Sequence, residues 1–353
     1  MQHEKSIKNE IGICVIGAGR AGMIHAANFA KNVPGARLAA IADPNPNALE
    51  AAREQLGAPG CAAYRSHLDA LADGGVDAYV VVAPTKFHRE IVVALAGAGK
   101  HVLCEKPMAM TPGECDEMTA AAEKAGVVLQ IGFMRRFDAG FARAKEIVAS
   151  GEIGDVVMIR SNTRGPSEPQ PWMYDIKASN GPLAEVNSHD IDTLRWFAES
   201  EFETVYALGG NFRSPAAKRD YPDFYDNVVV AAGFENGVQG MMDGAQGVGY
   251  AYDARAEVLG TKGCVLIGRT ESDAVVTYTA ASKRGVYPLV SSWRQLFREA
   301  YLAEDTAFVE AIRRGQPPKV TGHDGKMAVK VVNAGNLSIR EKRVVRLSEI
   351  SDL

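Results

Sequence analysis

Apolar positions follow two rhythms along the chain. Up to about residue 130, short continuous apolar runs alternate with stretches of helical period. Ile11–Ile16 (IGICVI) and Arg37–Ala42 (RLAAIA) read as strands, with a helix-like stretch through Lys31 between them. After the turn residues DPNPN, Asn47–Leu56 reads as a helix. Asp77–Ala83, with Val80, Val81 and Val82 in a row, is the clearest buried strand. Lys86–Ala98 then reads as a helix, and His101–Cys104 and Val127–Ile131 as two further strands. Thr111–Ala125 reads as a helix opened by a Thr-x-x-Glu capping box at Thr111 and Glu114. Unbroken apolar strands alternating with helices predict a doubly wound parallel sheet covered on both faces.

Beyond residue 130 strands follow one another: Val156–Asn162, Thr204–Gly209, Asn227–Phe234, Gly237–Asp243, Ala254–Leu259 and Cys264–Ile267. Asn236-Gly237 between two of them is a hairpin signal. Two late helices are expected at Trp293–Arg314 and Gly325–Glu341. This half predicts an α+β domain with a mostly antiparallel open sheet and helices on one face. The expected domains are 1–130 and 131–353, with the last helix or strand a candidate to pack back on the first. Gly165–Pro171 reads as a loop, and the aromatics Trp172 and Tyr174 at its edge suggest a lid or an interface.

Composition narrows the function classes. A length of 353 residues agrees with two domains at roughly 150 residues each. Thirty-nine basic and 43 acidic residues are interleaved, so no nucleic-acid footprint is expected. No apolar run reaches the roughly 18 residues of a membrane span, and the polar start MQHEKSIKNE does not read as a signal peptide. Five cysteines with no CxxC spacing predict a reducing, cytoplasmic setting without disulfides or a metal knuckle.

Gly17-Ala18-Gly19-Arg20-Ala21-Gly22 is GxGxxG between a strand and a helix, and Asp43 ends the second strand about 20 residues on. Gly17 suits the tight turn, Gly19 the close approach of a pyrophosphate, and Gly22 the packing of helix on strand. The helix N-terminus offers its free N–H groups to phosphate. Asp43 is expected on the adenosine ribose hydroxyls, favouring NAD over NADP, with Arg20 softening that preference. Thr85 and His88, after Pro84, are candidates for the nicotinamide side, with helix capping or a surface position as the other reading of His88. Ala21, Pro44, Ala83, Glu105 and Lys106 are further candidate cofactor contacts.

Glu105-Lys106-Pro107 follows the strand His101–Cys104, so Lys106 is expected at the carboxyl end of the sheet, where ligands sit. There it can take a proton from a hydroxyl or hold one for a carbonyl; a surface lysine in a loop is the alternative. The sequence leaves the isomer of the Lys106–Pro107 bond open. Further on, a helix opened by Pro182 and running to about Ala198 puts Glu185, His189 and Asp192 on one face. That row reads as a proton-handling set, as two or three metal ligands, or as a salt-bridged surface helix.

Together these residues carry a resemblance. GAGRAG with Asp43, the EKP tripeptide at 105–107, GFMRRFD at 132–138, HDID at 189–192 with Arg195-Trp196, and the GTKG turn at 260–263 occur in order over nearly the whole chain. The sequence resembles the glucose–fructose oxidoreductase / inositol dehydrogenase / rhizopine-catabolism (Gfo/Idh/MocA) family, and within it the inositol 2-dehydrogenases. The resemblance implies an N-terminal Rossmann domain binding NAD and a C-terminal domain whose sheet often forms a dimer or tetramer. It implies that Lys106 is the catalytic lysine and that His189 is the main acid/base on the reacting hydroxyl. The family usually has an aspartate four residues before that histidine, where this chain has Glu185. Met134, Arg135, Asn162, Trp172 and Tyr252 are further candidates for the substrate pocket, Arg135 also for the cofactor. The implied activity is oxidation of a ring or anomeric hydroxyl of an inositol or aldohexose, with no metal. An NAD-dependent glycoside hydrolase on the same fold and a non-catalytic NAD-dependent sugar sensor are the alternatives.

Overall fold

A computed structural model describes residues 10–58, 60–281 and 283–352. The polar start, apart from Glu10, lies outside the described residues. The chain forms two compact units. One runs to Met134 and also takes in Glu299–Lys326; the other comprises Arg135–Arg298 and the chain from Met327 onward. The first therefore extends a few residues past the expected boundary at 130 and regains a later segment.

In the first unit the elements run β1 (Ile11–Ile16), α1 (Gly22–Lys31), β2 (Ala36–Ala42), α2 (Pro46–Leu56), β3 (Ala62–Tyr64), α3 (His67–Leu71), β4 (Ala78–Val81), α4 (His88–Gly97), β5 (His101–Glu105), α5 (Pro112–Ala125) and β6 (Leu129–Gly132). All sheet pairings are parallel, in the order β3-β2-β1-β4-β5-β6. The chain moves outward from β1 to β3, then returns to the other side of β1 for β4. The crevice at the carboxyl ends of β1 and β4 is thus the switch point, where ligands bind in such sheets. β1 and β4 are buried along their whole length, which explains their unbroken apolar runs. The short β3 and α3 carry too little apolar pattern to have been read. The capping box opening α5 is present, with Thr111 Oγ1 accepting from Glu114 N–H and the Glu114 carboxylate accepting from Thr111 N–H.

The second unit begins with α6 (Ala139–Ala149) and continues with β7 (Val156–Gly165), α7 (Ile176–Ser179), α8 (Gly181–Glu185), α9 (Ser188–Ala198), β8 (Phe202–Gly210), α10 (Ala217–Asp220), β9 (Asn227–Phe234), β10 (Gln239–Gln246), β11 (Asp253–Gly260) and β12 (Cys264–Ile267). A two-residue hairpin, β13 (Thr277–Tyr278) with β14 (Gly285–Val286), and a short α11 (Trp293–Leu296) follow. β15 (Val345–Arg346) completes a seven-stranded sheet of order β12-β11-β7-β10-β9-β8-β15. All neighbours in it are antiparallel except β7 and β10. α8 and α9 pack on this sheet.

Two late helices were expected, and α11 is split from α12 (Arg298–Arg314) at Phe297. α12 belongs almost wholly to the first unit because Phe308 and Val309 are buried with Ile13, Val15 and Phe29 of β1 and α1. α13 (Gly322–Glu341) starts in the first unit and continues in the second. Among the described residues, no helix is long and apolar enough to cross a membrane. All five cysteines are free thiols, four of them buried.

Candidate active site

The glycine-rich turn leaves β1 at the switch point, and each glycine has a separate reason. Gly17 has φ +102°, and a Cβ there would stand 2.7 Å from the Val82 carbonyl oxygen. At Gly22 a Cβ would lie only 1.8 Å from the Gly17 carbonyl oxygen, so only glycine lets α1 start this close to the turn. Gly19 differs: no protein atom lies within 4 Å of its would-be Cβ. Nothing inside the fold demands glycine there, whereas a pyrophosphate approaching the backbone would. The turn therefore fits a dinucleotide. Asp43 Oδ2 accepts the Ala18 N–H at 2.8 Å and Oδ1 accepts the Asn45 N–H at 2.8 Å. The carboxylate is thus fixed beside the turn while the residue stays partly exposed. Arg20 is exposed and Ala21 partly so; Pro44 is exposed and its carbonyl accepts two bonds from Arg65.

This geometry separates folding from cofactor binding. Gly19→Ala is expected to leave the melting temperature within about 1 °C of wild type, since its methyl meets no protein atom. It is expected to weaken NAD binding at least tenfold by calorimetry. A variant with wild-type NAD affinity would remove the turn from the cofactor site.

At the end of β4, Thr85 opens a short helical turn, Thr85–Phe87, and is partly exposed. His88 is not available to a ligand. It is buried, with Nε2 2.6 Å from the Ala83 carbonyl and Nδ1 2.9 Å from the Pro107 carbonyl. Burial pulls its pKa down against the opposing effect of those two carbonyls. The imidazole ties the end of β4 to the turn after β5. Lys106 follows β5 directly, is partly exposed, and precedes a cis peptide bond to Pro107. Glu105 is buried, its carboxylate accepting the Lys106 N–H at 3.0 Å, so it holds the lysine's backbone. Met134 is also buried.

The second unit corrects the expectation of one continuous helix. α8 ends at Glu185 and α9 begins at Ser188, so Glu185 does not share a helical face with His189 and Asp192. The break follows from Asn187, whose buried amide donates to Asp190 Oδ2 at 2.8 Å and to the Asp243 carbonyl at 3.2 Å. Gly244 makes room, since a Cβ there would lie 1.9 Å from Asn187 Oδ1. Asp192 is also occupied, taking a bidentate pair of bonds from Arg136 at 2.9 and 2.5 Å. His189 is nearly buried in the first turn of α9, and Glu185 is partly buried at the end of α8.

Asp190, which sequence reasoning passed over, is the hub of this unit. Its fully buried carboxylate accepts from Arg135 Nη1 at 2.8 Å, Ser161 Oγ at 2.5 Å, Thr163 Oγ1 at 2.7 Å and Asn187 Nδ2 at 2.8 Å. These bonds fix the first turn of α9 on β7 and so set the direction of the neighbouring His189. The Arg135 guanidinium is 1% exposed and sits between the rings of Phe141 and Phe297. Arg135, a candidate for substrate or cofactor contact, is thus bound to Asp190, Ser161 and Thr163 within the second unit. Asn162 is likewise engaged, its amide donating to the Asp253 carbonyl at 3.1 Å and carboxylate at 3.0 Å. Burial pushes the Tyr252 hydroxyl up to about 12, so near neutral pH it is a hydrogen-bonding hydroxyl and not a base. Trp172, on the short turn Pro171–Met173, is 52% exposed.

Residues 11–133 match the GFO_IDH_MocA family, described as an oxidoreductase family with an NAD-binding Rossmann fold. Residues 141–266 match the GFO/IDH/MocA C-terminal domain. The chain is 36% identical to a myo-inositol 2-dehydrogenase of Thermotoga maritima over 96% of its length and 99% of that protein. It is 31% identical to a scyllo-inositol 2-dehydrogenase (NAD(+)) of Bacillus subtilis over 97% of both chains. Among solved structures, a probable dehydrogenase from Thermotoga maritima superposes with a TM-score of 0.89 at 35% identity, covering 97% of this chain and all of that one. A scyllo-inositol dehydrogenase from Lactobacillus casei, solved with NAD(H) and scyllo-inositol, gives 0.86 at 26% identity over 96% of this chain and 99% of that one.

Proposed function

Because the chain belongs to the Gfo/Idh/MocA family of oxidoreductases with an NAD-binding Rossmann fold, we propose that it is an NAD-dependent inositol 2-dehydrogenase. The reaction is oxidation of a secondary ring hydroxyl of a myo- or scyllo-inositol-like polyol to the ketone. The observation that carries this reading is the likeness, over nearly the full length of both chains, to relatives named for oxidation of these two inositols. NAD, when bound, supplies the hydride acceptor. The turn Gly17–Gly22 with the start of α1 would hold its phosphates, and Asp43 would take the ribose hydroxyls, its charge disfavouring a 2′-phosphate.

The proton is the chain's own task. His189, held in direction by Asp190, removes the proton of the reacting hydroxyl as the hydride leaves carbon. Lys106, whose backbone Glu105 holds, is the second group assigned to proton transfer. Glu185 stands where the family's aspartate would, one methylene longer, and supports His189 from the end of α8. Tyr252 and Trp172 serve as substrate contacts, since each buried hydroxyl of a polyol needs a partner.

We further assign the protein to the cytoplasm and to a homo-oligomer. Leu208, Val229 and Met241 leave exposed apolar side chains on neighbouring strands of the second sheet, a surface suited to another copy. Light scattering after gel filtration checks this, with a dimer or tetramer expected.

The activity is tested by NADH appearance at 340 nm with NAD+ and then NADP+ across inositols and aldoses. A signal with one or two inositols, at least about 100-fold stronger with NAD+, is expected from the Asp43 charge. Silence across the panel with NAD binding intact would move the assignment to a hydrolase without net NADH, or to a sensor.

A further inference from the structure

Beneath Lys106 the first unit buries a cluster that the proposed chemistry does not use. His25 on α1, Glu105 at the end of β5, and Glu304 and Asp305 on α12 are all nearly or wholly inaccessible. The His25 ring faces a carboxylate at each nitrogen: Asp305 Oδ1 lies 2.6 Å from Nδ1 and Glu105 Oε1 lies 3.2 Å from Nε2. Asn28 donates to the other Asp305 oxygen at 2.8 Å, and Tyr301 packs edge-on against the imidazole. Glu105 is itself wedged, since a Cβ at Gly132 would lie 3.0 Å from its carboxyl carbon. A carboxylate on each side of the ring calls for an N–H on each ring nitrogen, which is the imidazolium.

Glu304 is the anomaly. Its side chain is fully buried, and neither carboxylate oxygen has a hydrogen-bond partner among the described residues. Yet one of its oxygens lies within 4.8 Å of both a His25 nitrogen and a Glu105 oxygen. Nearby, Gln130 donates to the Glu304 carbonyl, while its own side-chain oxygen is a buried acceptor without a donor. One imidazolium already faces two carboxylates, and a third buried anion would stand uncompensated. A divalent cation held by His25, Glu105 and Glu304 would also balance the charge, and it would require an unprotonated Nε2 in place of the imidazolium.

We propose that His25, Glu105, Glu304 and Asp305 form a buried clamp in which an imidazolium holds two carboxylates, Glu304 stands as the neutral acid, and Glu105 transmits the clamp to the Lys106 peptide. His25 and Asp305 are thus positioning residues for the lysine. Burial alone would depress the His25 pKa; the facing carboxylates of Asp305 and Glu105 overcome it and hold it well above its ordinary value. Burial first, then Glu105 and Asp305, raise Glu304 well above the carboxylate range, with His25 opposing. The positioning role rests on the dehydrogenase reading above, whereas the protonation state of Glu304 does not.

Two experiments separate these parts. The first compares the stability of wild type and Glu304→Gln by denaturant titration from pH 5 to 9, with no substrate present. The folded wild type keeps a Glu304 proton that the unfolded chain has lost above its ordinary pKa, so its stability falls as pH rises. Glu304→Gln lacks this term. Its advantage over wild type should grow with pH, towards tenfold in the unfolding constant per pH unit. Curves that run parallel, a Glu304→Gln variant that does not fold, or a stoichiometric divalent metal in the wild type that the variant loses would each overturn the neutral acid. The second measures His25→Gln alone and in a Lys106→Ala background, with whichever polyol the wild type oxidises. The single variant should lose at least tenfold in kcat with the Kd for NAD within threefold, and the loss should vanish when Lys106 is absent. An equal loss in both backgrounds, or none in either, would overturn the positioning role. A wild type that oxidises no polyol would refute the dehydrogenase reading, and the positioning role with it, while the pH experiment would still decide the state of Glu304.

Discussion

Lys106→Ala is expected to lower kcat by about three orders of magnitude while the affinity for NAD stays within a few-fold of wild type. The residue follows β5 at the carboxyl edge of the parallel sheet, whereas the groups that fit the cofactor's phosphates and ribose, Gly17–Gly22 and Asp43, lie after β1 and β2. Removing the ammonium therefore removes proton handling without touching the cradle. The methyl that replaces it leaves the Lys106 N–H to Glu105 bond in place, so the local backbone keeps its anchor. Steady-state kinetics and NAD calorimetry on one preparation check the split. A parallel loss of both quantities would show Lys106 to be a cofactor-binding residue instead.

Asp190→Ala should be the most destabilising single change in the second unit. It strips the counter-charge from Arg135, a guanidinium that is 1% exposed, and leaves Ser161, Thr163 and Asn187 without their shared acceptor. Breaking a buried pair by removing one partner typically costs about 3–5 kcal/mol, a large part of a domain's stability. Asp190→Asn keeps the shape but not the charge and should fall between wild type and alanine. Urea denaturation followed by tryptophan fluorescence measures the series. An alanine variant within about 1 kcal/mol of wild type would mean that Arg135 finds water or another acceptor, and that Asp190 does not anchor α9.

The contrast between the two units marks what the sequence can carry. Features whose cause is local were legible. The GxGxxG turn, the Asp43 position and the Thr111–Glu114 capping box each depend on residues close in sequence, and each stands in the structure as read. β9 and β12 have the bounds read from their apolar runs. Features whose cause is a distant partner were not. The break between α8 and α9 comes from Asn187 reaching the Asp243 carbonyl on β10, and from the space that Gly244 leaves there. An Asn followed by Ser-His-Asp was the available start signal, hidden by the continuous period around it. The Asp190 hub gathers Arg135, Ser161 and Thr163 from elements no local window joins. His25 meets Asp305 across 280 residues, and only its polarity on the buried side of α1 hinted at a partner. His88 and Arg135, both candidates for the site, are buried and bonded to partners 19 and 55 residues away, which no local pattern shows.

The proposed reaction is a net hydride transfer from a ring carbon to NAD. It is tested most directly with myo- and scyllo-inositol carrying deuterium on the ring carbons, incubated with the enzyme and NAD+ and followed by mass spectrometry. Reduced NAD is expected to accumulate carrying one deuterium from the ring, with a ketone formed in equal amount. Failure of reduced NAD to accumulate with either inositol, or reduced NAD whose new hydrogen comes from solvent, would contradict it.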